Sequence, residues 1–264
     1  MEDRPLIEAR KITYQIGSQA LLTDVSIRVA PGEVVAIIGP NGAGKSTLRK
    51  ILTGDLEPAS GVVLMSGRPL SEWTTLDRAR VRAVLPQDSS LNFPFTVQEV
   101  VLMGRTPHVR GSETANDHRI AAEALAAVEA DQLRERLYPT LSGGERQRVH
   151  LARMLAQVWE AAGSATRYLL LDEPTTSLDI AHQHSALRVV RRFSGEGVGV
   201  FVVLHDLNLA AQYADRIVML KAGRVVAEGI PELILTVEII QATFDLRVTV
   251  MWHPDADRPV VLAD

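Results

Sequence analysis

A short apolar strand followed by a glycine-rich loop and a helix is the feature that most constrains the fold of this chain. The strand is Val34–Ile38, a continuous and mostly β-branched run of the kind that is buried in a parallel sheet. The loop has the sequence GPNGAGKST over residues 39–47, and the helical stretch behind it ends at Gly54. This order predicts an α/β protein whose loop opens at the carboxyl end of a parallel strand.

The glycine-rich loop has the spacing of a phosphate-binding site for a nucleoside triphosphate. Its glycines let successive backbone N–H groups curl around a β-phosphate, and the positive end of the following helix points at the same anion. Lys45 is expected to reach the β- and γ-phosphates and Ser46 to coordinate Mg²⁺. An ordinary glycine-rich turn is the alternative, which the complete G-x-x-x-x-G-K-S pattern disfavours. The candidate nucleotide-binding residues are Gly39, Pro40, Asn41, Gly42, Ala43, Gly44, Lys45, Ser46 and Thr47.

A second apolar strand ends in two adjacent carboxylates. The run Tyr168–Leu171 predicts a buried strand, and Asp172 follows at its carboxyl end, where the glycine-rich loop also opens. We therefore expect Asp172 to bind Mg²⁺ and Glu173 to orient and partly deprotonate the water that attacks the γ-phosphate. By itself the carboxylate pair is also compatible with a solvated strand end before a proline turn. The phosphate loop favours the catalytic interpretation.

A serine-capped helix supplies a second candidate anion site. Ser142 has the pattern of an N-cap, and Glu145 stands where a capping box places its carboxylate. Such caps are common and do not indicate a function. With Gly143 and Gly144, however, the first N–H groups of this helix offer a second anion site, and one chain has no second nucleotide to put there.

The remaining secondary structure is predicted from shorter patterns. Alternation of apolar and polar residues, bounded by turn residues, predicts an antiparallel β-element near the start of the chain. Helical periodicity predicts a long helical stretch within 96–160, and further apolar runs predict buried strands and a hairpin. The tail has a helical and then a strand-like pattern. The predicted strands are 6–16, 20–29, 81–85, 168–172, 198–205 and 216–220, the hairpin is 221–229, and the possible tail strands are 247–250 and 260–262. Helices are predicted over 113–130 and 180–193.

Composition excludes several classes of function. The chain of 264 residues is 46% hydrophobic and 23% charged, with a net charge of −4, so it offers no basic field for nucleic acid. It has no cysteine, which excludes disulfides and thiolate metal sites. No apolar run approaches the roughly 20 residues of a membrane span, and residues 1–5 lack a signal-peptide core. The histidines apart from position 205 are not expected to bind metal: His108, His118, His150, His182, His184 and His253.

The phosphate loop, the Ser142–Glu145 segment and the Asp172-Glu173 pair occur in the order that resembles the nucleotide-binding subunit of an ATP-binding-cassette transporter. The resemblance covers about residues 14–229. It implies a P-loop NTPase core with an antiparallel β-element and a helical subdomain inserted between the phosphate loop and the Asp172 strand. It further implies one nucleotide-binding domain over 1–264, with the core at about 1–88 and 165–264 and the helical subdomain at about 89–164.

Further roles follow from the resemblance alone. Tyr14 matches the aromatic that stacks on adenine, and Gln87 matches the glutamine that contacts Mg²⁺ or water and links the core to the helical insertion. Ser177–Asp179 matches the family's D-loop, and His205 matches the histidine that contacts the γ-phosphate. The Ser142–Glu145 signature loop of one subunit is implied to close on the ATP of the opposite subunit, which gives a homodimer with two composite sites.

A chain without a membrane-spanning segment takes part in transport across a membrane only through a partner protein. The resemblance implies two copies of a transmembrane permease, with this chain peripheral at the cytoplasmic face of the cell membrane. The stretch Gln87–His108, which includes Arg105, is similar to the segment that receives a permease coupling helix in importers of iron chelates, cobalamin and haem. Segments 155–160 and 178–184 most resemble the haem importers. Haem is therefore the expected cargo, delivered by an extracytoplasmic haem-binding protein without contacting this chain.

Two alternatives remain open. An importer subunit for ferric siderophores or cobalamin would share the chemistry and differ in the permease surface. A soluble cassette ATPase of DNA repair or translation would belong to another class. Against that class, only a compact helical segment separates Gly39 from Ser142, and the chain has one cassette rather than two.

Overall fold

The computed structural model describes residues 7–85, 93–161 and 166–263. The chain forms two compact units, the first from Met1–Glu72 with Gly199–Asp264 and the second from Trp73–Val198. Gln87, which the resemblance places at the magnesium site, lies outside the described residues.

The first unit opens with a four-stranded antiparallel sheet and the strand and helix that flank the glycine-rich loop. In chain order its elements are β1 (Ile7–Ile16), β2 (Gln19–Val29), β3 (Val34–Ile38), α1 (Lys45–Thr53), β4 (Ser60–Met65) and β5 (Arg68–Pro69). The antiparallel sheet has the order β2-β1-β4-β5, so β1 pairs on both edges. This confirms the predicted antiparallel element and adds β4 and β5, which the sequence patterns had missed. Ser66 and Gly67 turn this hairpin with positive φ angles of 52° and 76°.

The second unit contains a helical group and a parallel pair of strands. Its elements are α2 (Thr75–Val81), β6 (Arg82–Leu85), α3 (Val97–Leu102), α4 (Ala115–Ala127), α5 (Gly143–Gln157), β7 (Tyr168–Asp172) and α6 (Ile180–Gly195). Short 3₁₀ turns at Met103–Arg105, Asp131–Leu133 and Tyr138–Thr140 connect the helices. The helical stretch predicted for 96–160 is thus confirmed as three helices. All five residues of β7 are buried, as its apolar sequence predicts.

Helices α3, α4 and α5 each begin at a reciprocal capping box. The pairs are Thr96 with Glu99, Thr114 with Asp117, and Ser142 with Glu145. In each pair the hydroxyl accepts the backbone N–H three residues on, and the carboxylate accepts the N–H of the capping residue. The cap predicted at Ser142 is therefore confirmed, and the sequence fixes where these helices start.

Arg105 is buried inside the second unit rather than exposed on a contact surface. The residue is 4% exposed, and its Nε donates to Asp117 Oδ1 at 3.0 Å while Nη1 donates to Ala156 O at 2.8 Å. Burial alone opposes ionisation of Asp117, but hydrogen bonds from Thr114 and Arg105 outweigh it and hold the Asp117 pKa below its ordinary value. The expectation that Arg105 faces a permease was wrong, because a guanidinium in this apolar helical core needs a carboxylate and a carbonyl as partners.

The chain returns to the first unit to complete a second sheet and the tail. The elements are β8 (Gly199–Val203), α7 (Leu207–Tyr213), β9 (Arg216–Lys221), β10 (Arg224–Gly229), α8 (Pro231–Ile234), α9 (Val237–Phe244), β11 (Val248–Trp252) and β12 (Pro259–Ala263). In this unit β3 pairs parallel with both β8 and β9, and β10 pairs antiparallel with β9. The antiparallel pair β11–β12 confirms the strands predicted in the tail. Buried β3 therefore delivers the glycine-rich loop to the carboxyl edge of a parallel sheet.

Candidate functional site

The glycine-rich loop runs from the end of β3 to the first residue of α1, and Lys45 folds back over it. Lys45 Nζ donates to Gly39 O at 2.6 Å and to Pro40 O at 2.9 Å, and the residue is 6% exposed. Gly44 occupies the N-cap position of α1 with a φ of 103°. An ammonium group and the first N–H groups of a helix thus converge on one short loop, which is the arrangement that binds phosphate anions.

Two glycines of this loop have no room for a side chain. A Cβ at Gly39 would lie 2.1 Å from Leu220 O on β9, and a Cβ at Gly44 would lie 2.9 Å from Leu21 O. Gly44 also has the left-handed backbone that other residues rarely adopt. The loop is therefore clamped between β2 and the sheet, and the spacing of its glycines reflects these close approaches as well as anion binding.

The turn between β9 and β10 braces the loop, and sequence reasoning missed this support. Gly223 N donates to Ala43 O at 3.0 Å, while Thr23 N donates to Gly223 O at 2.8 Å. A Cβ at Gly223 would lie 2.5 Å from Leu21 O. The pattern Lys221-Ala222-Gly223 showed a hairpin turn, but nothing local indicates which distant backbone that turn contacts.

Tyr14 and His205 both lie in the first unit, Tyr14 on β1 and His205 just after β8. Tyr14 is half-buried on β1 opposite Leu22, the residue whose side chain packs against Gly44. His205 is exposed just beyond β8, and the pairing of Val203 with Ile37 brings the ends of β8 and β3 side by side. The structure thus brings both predicted residues to the neighbourhood of the loop. Asp206 next to His205 caps α7 through the N–H groups of Asn208 and Leu209, at 2.7 and 3.1 Å.

In the second unit, Asp172 and Glu173 end β7 in different environments. Asp172 is 1% exposed, whereas Glu173 is half-buried and has a left-handed backbone with a φ of 52°. Glu173 O accepts the N–H of Thr176 at 3.2 Å and the side-chain amide of Gln147 at 3.3 Å. The Thr176 hydroxyl donates to Glu173 Oε2 at 3.2 Å. Sequence reasoning identified both carboxylates but missed the unusual backbone of Glu173 and its contact with α5.

The Ser142–Glu145 signature loop packs against the D-loop within the second unit. A Cβ at Gly144 would lie 3.0 Å from Ser177 O, and a Cβ at Gly143 would lie 3.7 Å from the Ser177 side chain. Glu145 Oε2 accepts the Ser142 N–H at 2.8 Å and Oε1 accepts from Arg136 at 3.0 Å. The bond to the Ser142 backbone, aided by the Ser142 hydroxyl and nearby arginines, lowers the Glu145 pKa. Glu145 therefore serves as a cap; its expected contact with a nucleotide stays a prediction.

Asp179 is the N-cap of α6. Its Oδ1 accepts the His182 N–H at 2.9 Å and lies 2.7 Å from His182 Nδ1. The backbone and then the side-chain bond to His182 lower the Asp179 pKa. Elsewhere His150 Nε2 lies 2.6 Å from the Tyr138 hydroxyl and His108 Nε2 lies 2.8 Å from Gln157 O. Over 7–85, 93–161 and 166–263, no cluster of three or more His, Cys, Asp or Glu side chains is arranged to hold a metal ion.

Comparison with known proteins gives a consistent result. A family model described as "ABC transporter" matches residues 22–176. The "Hemin import ATP-binding protein HmuV" of Gloeobacter violaceus is 55% identical over 257 residues, which cover 97% of this chain and 94% of that protein. A dimeric bacterial ABC transporter cassette is 29% identical with a TM-score of 0.75, covering 85% of this chain and 98% of that one.

A structure described as an inward-facing ABC transporter of metal-chelate type has a TM-score of 0.81 at 24% identity, covering 99% of this chain and 98% of that one. At this identity it supports the fold alone. The family model spans more than half of the chain, and the relative from Gloeobacter violaceus matches it along almost its whole length. This chain therefore belongs to the ABC transporter family, as one of its ATP-binding, ATP-hydrolysing subunits.

Proposed function

We propose that this chain energises a haem importer by binding and hydrolysing ATP at the inner face of the membrane. Haem as the cargo is supported by the 55% identity with a hemin import ATP-binding protein along 94% of that protein. The observation that supports the chemistry is the Lys45 ammonium group held over the glycine-rich loop, with bonds of 2.6 and 2.9 Å to its carbonyls.

The residues of the glycine-rich loop would hold the triphosphate. Backbone N–H groups from Gly42 to Thr47 would surround the phosphates, and Lys45 would exchange its loop carbonyls for β- and γ-phosphate oxygens. Tyr14 would stack on the adenine. His205, exposed at the end of β8, would contact the γ-phosphate.

Magnesium would be held by oxygen atoms, and the residue types present suit this ion. The Ser46 hydroxyl, the Asp172 carboxylate and the Gln87 amide oxygen are the hard ligands that Mg²⁺ prefers. When bound, the ion neutralises charge on the β- and γ-phosphates. Glu173 would orient the attacking water and accept its proton, since its carboxylate comes directly after the buried Asp172.

In this proposal, dimerisation of two subunits completes each ATP-binding site. Ser142, Gly143, Gly144 and Glu145 of one subunit would close on the ATP of the other, with Asp179 also at the subunit boundary. Among the described residues, no helix is both long and apolar enough to cross a membrane. In the proposed importer, two permease copies would form the pathway, an extracytoplasmic haem-binding protein would deliver the cargo, and this chain would be peripheral. Nucleic acid is not expected as a partner. The helical subdomain at about 89–164 would receive the permease.

Uptake by the reconstituted importer tests this proposal. With its permease and binding protein in liposomes, the chain should drive haem uptake that requires ATP, and the Glu173→Gln variant should abolish that uptake. Purified alone, the chain should bind Mg²⁺-ATP and show no stoichiometric Soret shift with haem. Movement of a ferric siderophore or cobalamin in place of haem would identify the alternative cargo. ATP hydrolysis without transport of any of these would favour a soluble ATPase.

A further inference from the structure

Gln147 of α5 lies under the backbone of Glu173 and links the signature helix to the loop that carries this carboxylate. Its side-chain amide donates to Glu173 O at 3.3 Å, across 26 positions of the chain. One turn earlier on the same helix, the backbone of Gly144 lies against Ser177 O, where a Cβ would come within 3.0 Å. The first turns of α5 therefore contact the loop between β7 and α6 near both of its ends.

The backbone of Glu173 needs such support. Its φ of 52° lies in the left-handed region, which costs a residue with a side chain roughly 1–3 kcal/mol unless its surroundings fix it. The carbonyl that Gln147 contacts belongs to the residue with this unusual backbone. Rotation of that peptide would move the carboxylate that follows Asp172, so the bond from Gln147 bears on the direction of the Glu173 side chain.

We propose that Gln147 is a positioning residue, which holds Glu173 in place and couples the signature helix to the catalytic carboxylate of the same chain. This inference rests on the proposed function, in which the signature loop closes on the partner's ATP while Glu173 acts on its own chain's ATP. Gln147 would then join the two composite sites of a dimer through the interior of one subunit. Closure at one nucleotide would favour alignment of the base at the other.

Two glutamines of α5, Gln147 and Gln157, can be compared to distinguish this positioning role from general stabilisation of the helix. Gln157 also donates its amide to backbone carbonyls, at 2.7 Å to Ala79 and 2.9 Å to Arg82, away from Glu173. Gln147→Met, which keeps the length of the side chain and removes the amide, should lower kcat roughly tenfold or more while the dissociation constant for ATP changes less than about twofold. Gln157→Met should leave kcat within about twofold, whatever it does to the melting temperature. Equal losses of kcat in both variants would overturn the proposal.

A covalently linked pair of full-length chains then assigns the subunit. Lys45→Ala in one protomer leaves a single working site, with Glu173 from the unmodified protomer and the signature loop from the altered one. Gln147→Met should reduce hydrolysis when it is placed in the unmodified protomer, and should have little effect in the altered one. Loss in the altered protomer instead would mean that Gln147 acts through the signature contact, and would refute the proposal. Absence of ATP hydrolysis by the unmodified chain would refute the proposed function itself.

Discussion

Lys45 shows how much of the candidate site depends on single residues. Its ammonium group bonds to two carbonyl oxygens of its own loop, which hold the side chain over the loop that we propose binds the phosphates. Lys50 on the same helix is exposed and lies a turn further from the loop. The two lysines carry the same charge, but only Lys45 is buried and bonded to the glycine-rich loop.

Lys45→Ala should therefore weaken ATP binding while Lys50→Ala should not. Loss of a charge-assisted bond of about 1.5–3 kcal/mol corresponds to roughly ten- to hundredfold in affinity. Equilibrium titration with a fluorescent ATP analogue measures both variants. Similar losses at the two positions would point to damage of α1 instead of a phosphate contact.

Glu173→Gln should keep ATP binding and slow hydrolysis, because the amide retains the shape of the side chain without its basicity. The expected loss is roughly 10²-fold or more, the range of a general base. Single-turnover hydrolysis and ATP titration on the same preparation separate the two effects. Turnover close to that of the unmodified chain would remove Glu173 from this role.

At the scale of elements, the glycine-rich loop is supported by its packing against the β9–β10 turn. The β9–β10 turn touches the glycine-rich loop through Gly223 N and Ala43 O, and the same glycine lies against the backbone of Leu21. Gly67 in the β4–β5 turn has nearly the same backbone, with a φ of 76° against 74° at Gly223. Apart from Gly67 and its two chain neighbours, no described residue has an atom within 4 Å of a Cβ built at Gly67.

Gly223→Ala should reduce both stability and ATP affinity, whereas Gly67→Ala should cost only the left-handed backbone strain of about 1 kcal/mol. The extra loss at Gly223 comes from a Cβ 2.5 Å from Leu21 O, which displaces the turn from the loop. Thermal unfolding and ATP titration report the two effects. Unchanged ATP affinity in Gly223→Ala would show that the turn does not support the loop.

The buried Arg105–Asp117 pair gives the second prediction at this scale. Arg105→Ala should lower the free energy of unfolding by about 3–5 kcal/mol, because Asp117 is left as an uncompensated charge in the core. Arg119→Ala, which removes an exposed pair with Glu123, should leave the melting temperature nearly unchanged. Chemical denaturation of both variants tests the comparison, and equal melting of the two would contradict it.

The same pair predicts a loss of stability in acid. Because the pKa of folded Asp117 is lowered, its contribution is complete above the ordinary carboxyl pKa of about 4 and is lost as pH falls through the lower folded value. Denaturation from pH 7 down to pH 3 should therefore show a steeper decline in the unmodified chain than in Asp117→Asn. Parallel profiles would mean that Asp117 contributes no such linkage.

For the whole molecule, the question is whether each ATP is shared between subunits. The Ser142–Glu145 loop begins α5 with a capping box, and in the proposed dimer it closes on the ATP of the partner. The loop is anchored against Ser177 in its own chain. Its position relative to the partner's nucleotide would therefore follow any movement of the D-loop.

A linked pair distinguishes shared from unshared sites. Lys45→Ala in one protomer and Ser142→Arg in the other place both lesions in one shared site and leave the second intact. Both changes in the same protomer damage both shared sites. We therefore expect greater ATPase activity from the divided arrangement, and the reverse order would show that each chain uses its own signature loop.

Local chemistry is what the sequence alone determined. The buried strands β3 and β7, the loop between β3 and α1, the cap at Ser142 and the order of the motifs depend on patterns within a few residues, because strand alternation, helix caps and glycine loops are set by neighbouring atoms. The tail strands were predicted for the same reason. Strand β4 was missed because it begins with Ser60 and Gly61 and its sequence shows no alternation of apolar and polar residues.

Only the tertiary structure decided which distant groups meet. Nothing in the sequence near Arg105 indicates that its partners are Asp117 on α4 and Ala156 O on α5. The sequence around Gly223 indicates a turn but not the contact of that turn with Leu21. The bond from Gln147 to Glu173 O likewise joins two segments whose local patterns are independent. Such contacts depend on how whole elements pack against each other. A single sequence indicates which residues are buried, but it does not indicate which distant residue each of them contacts.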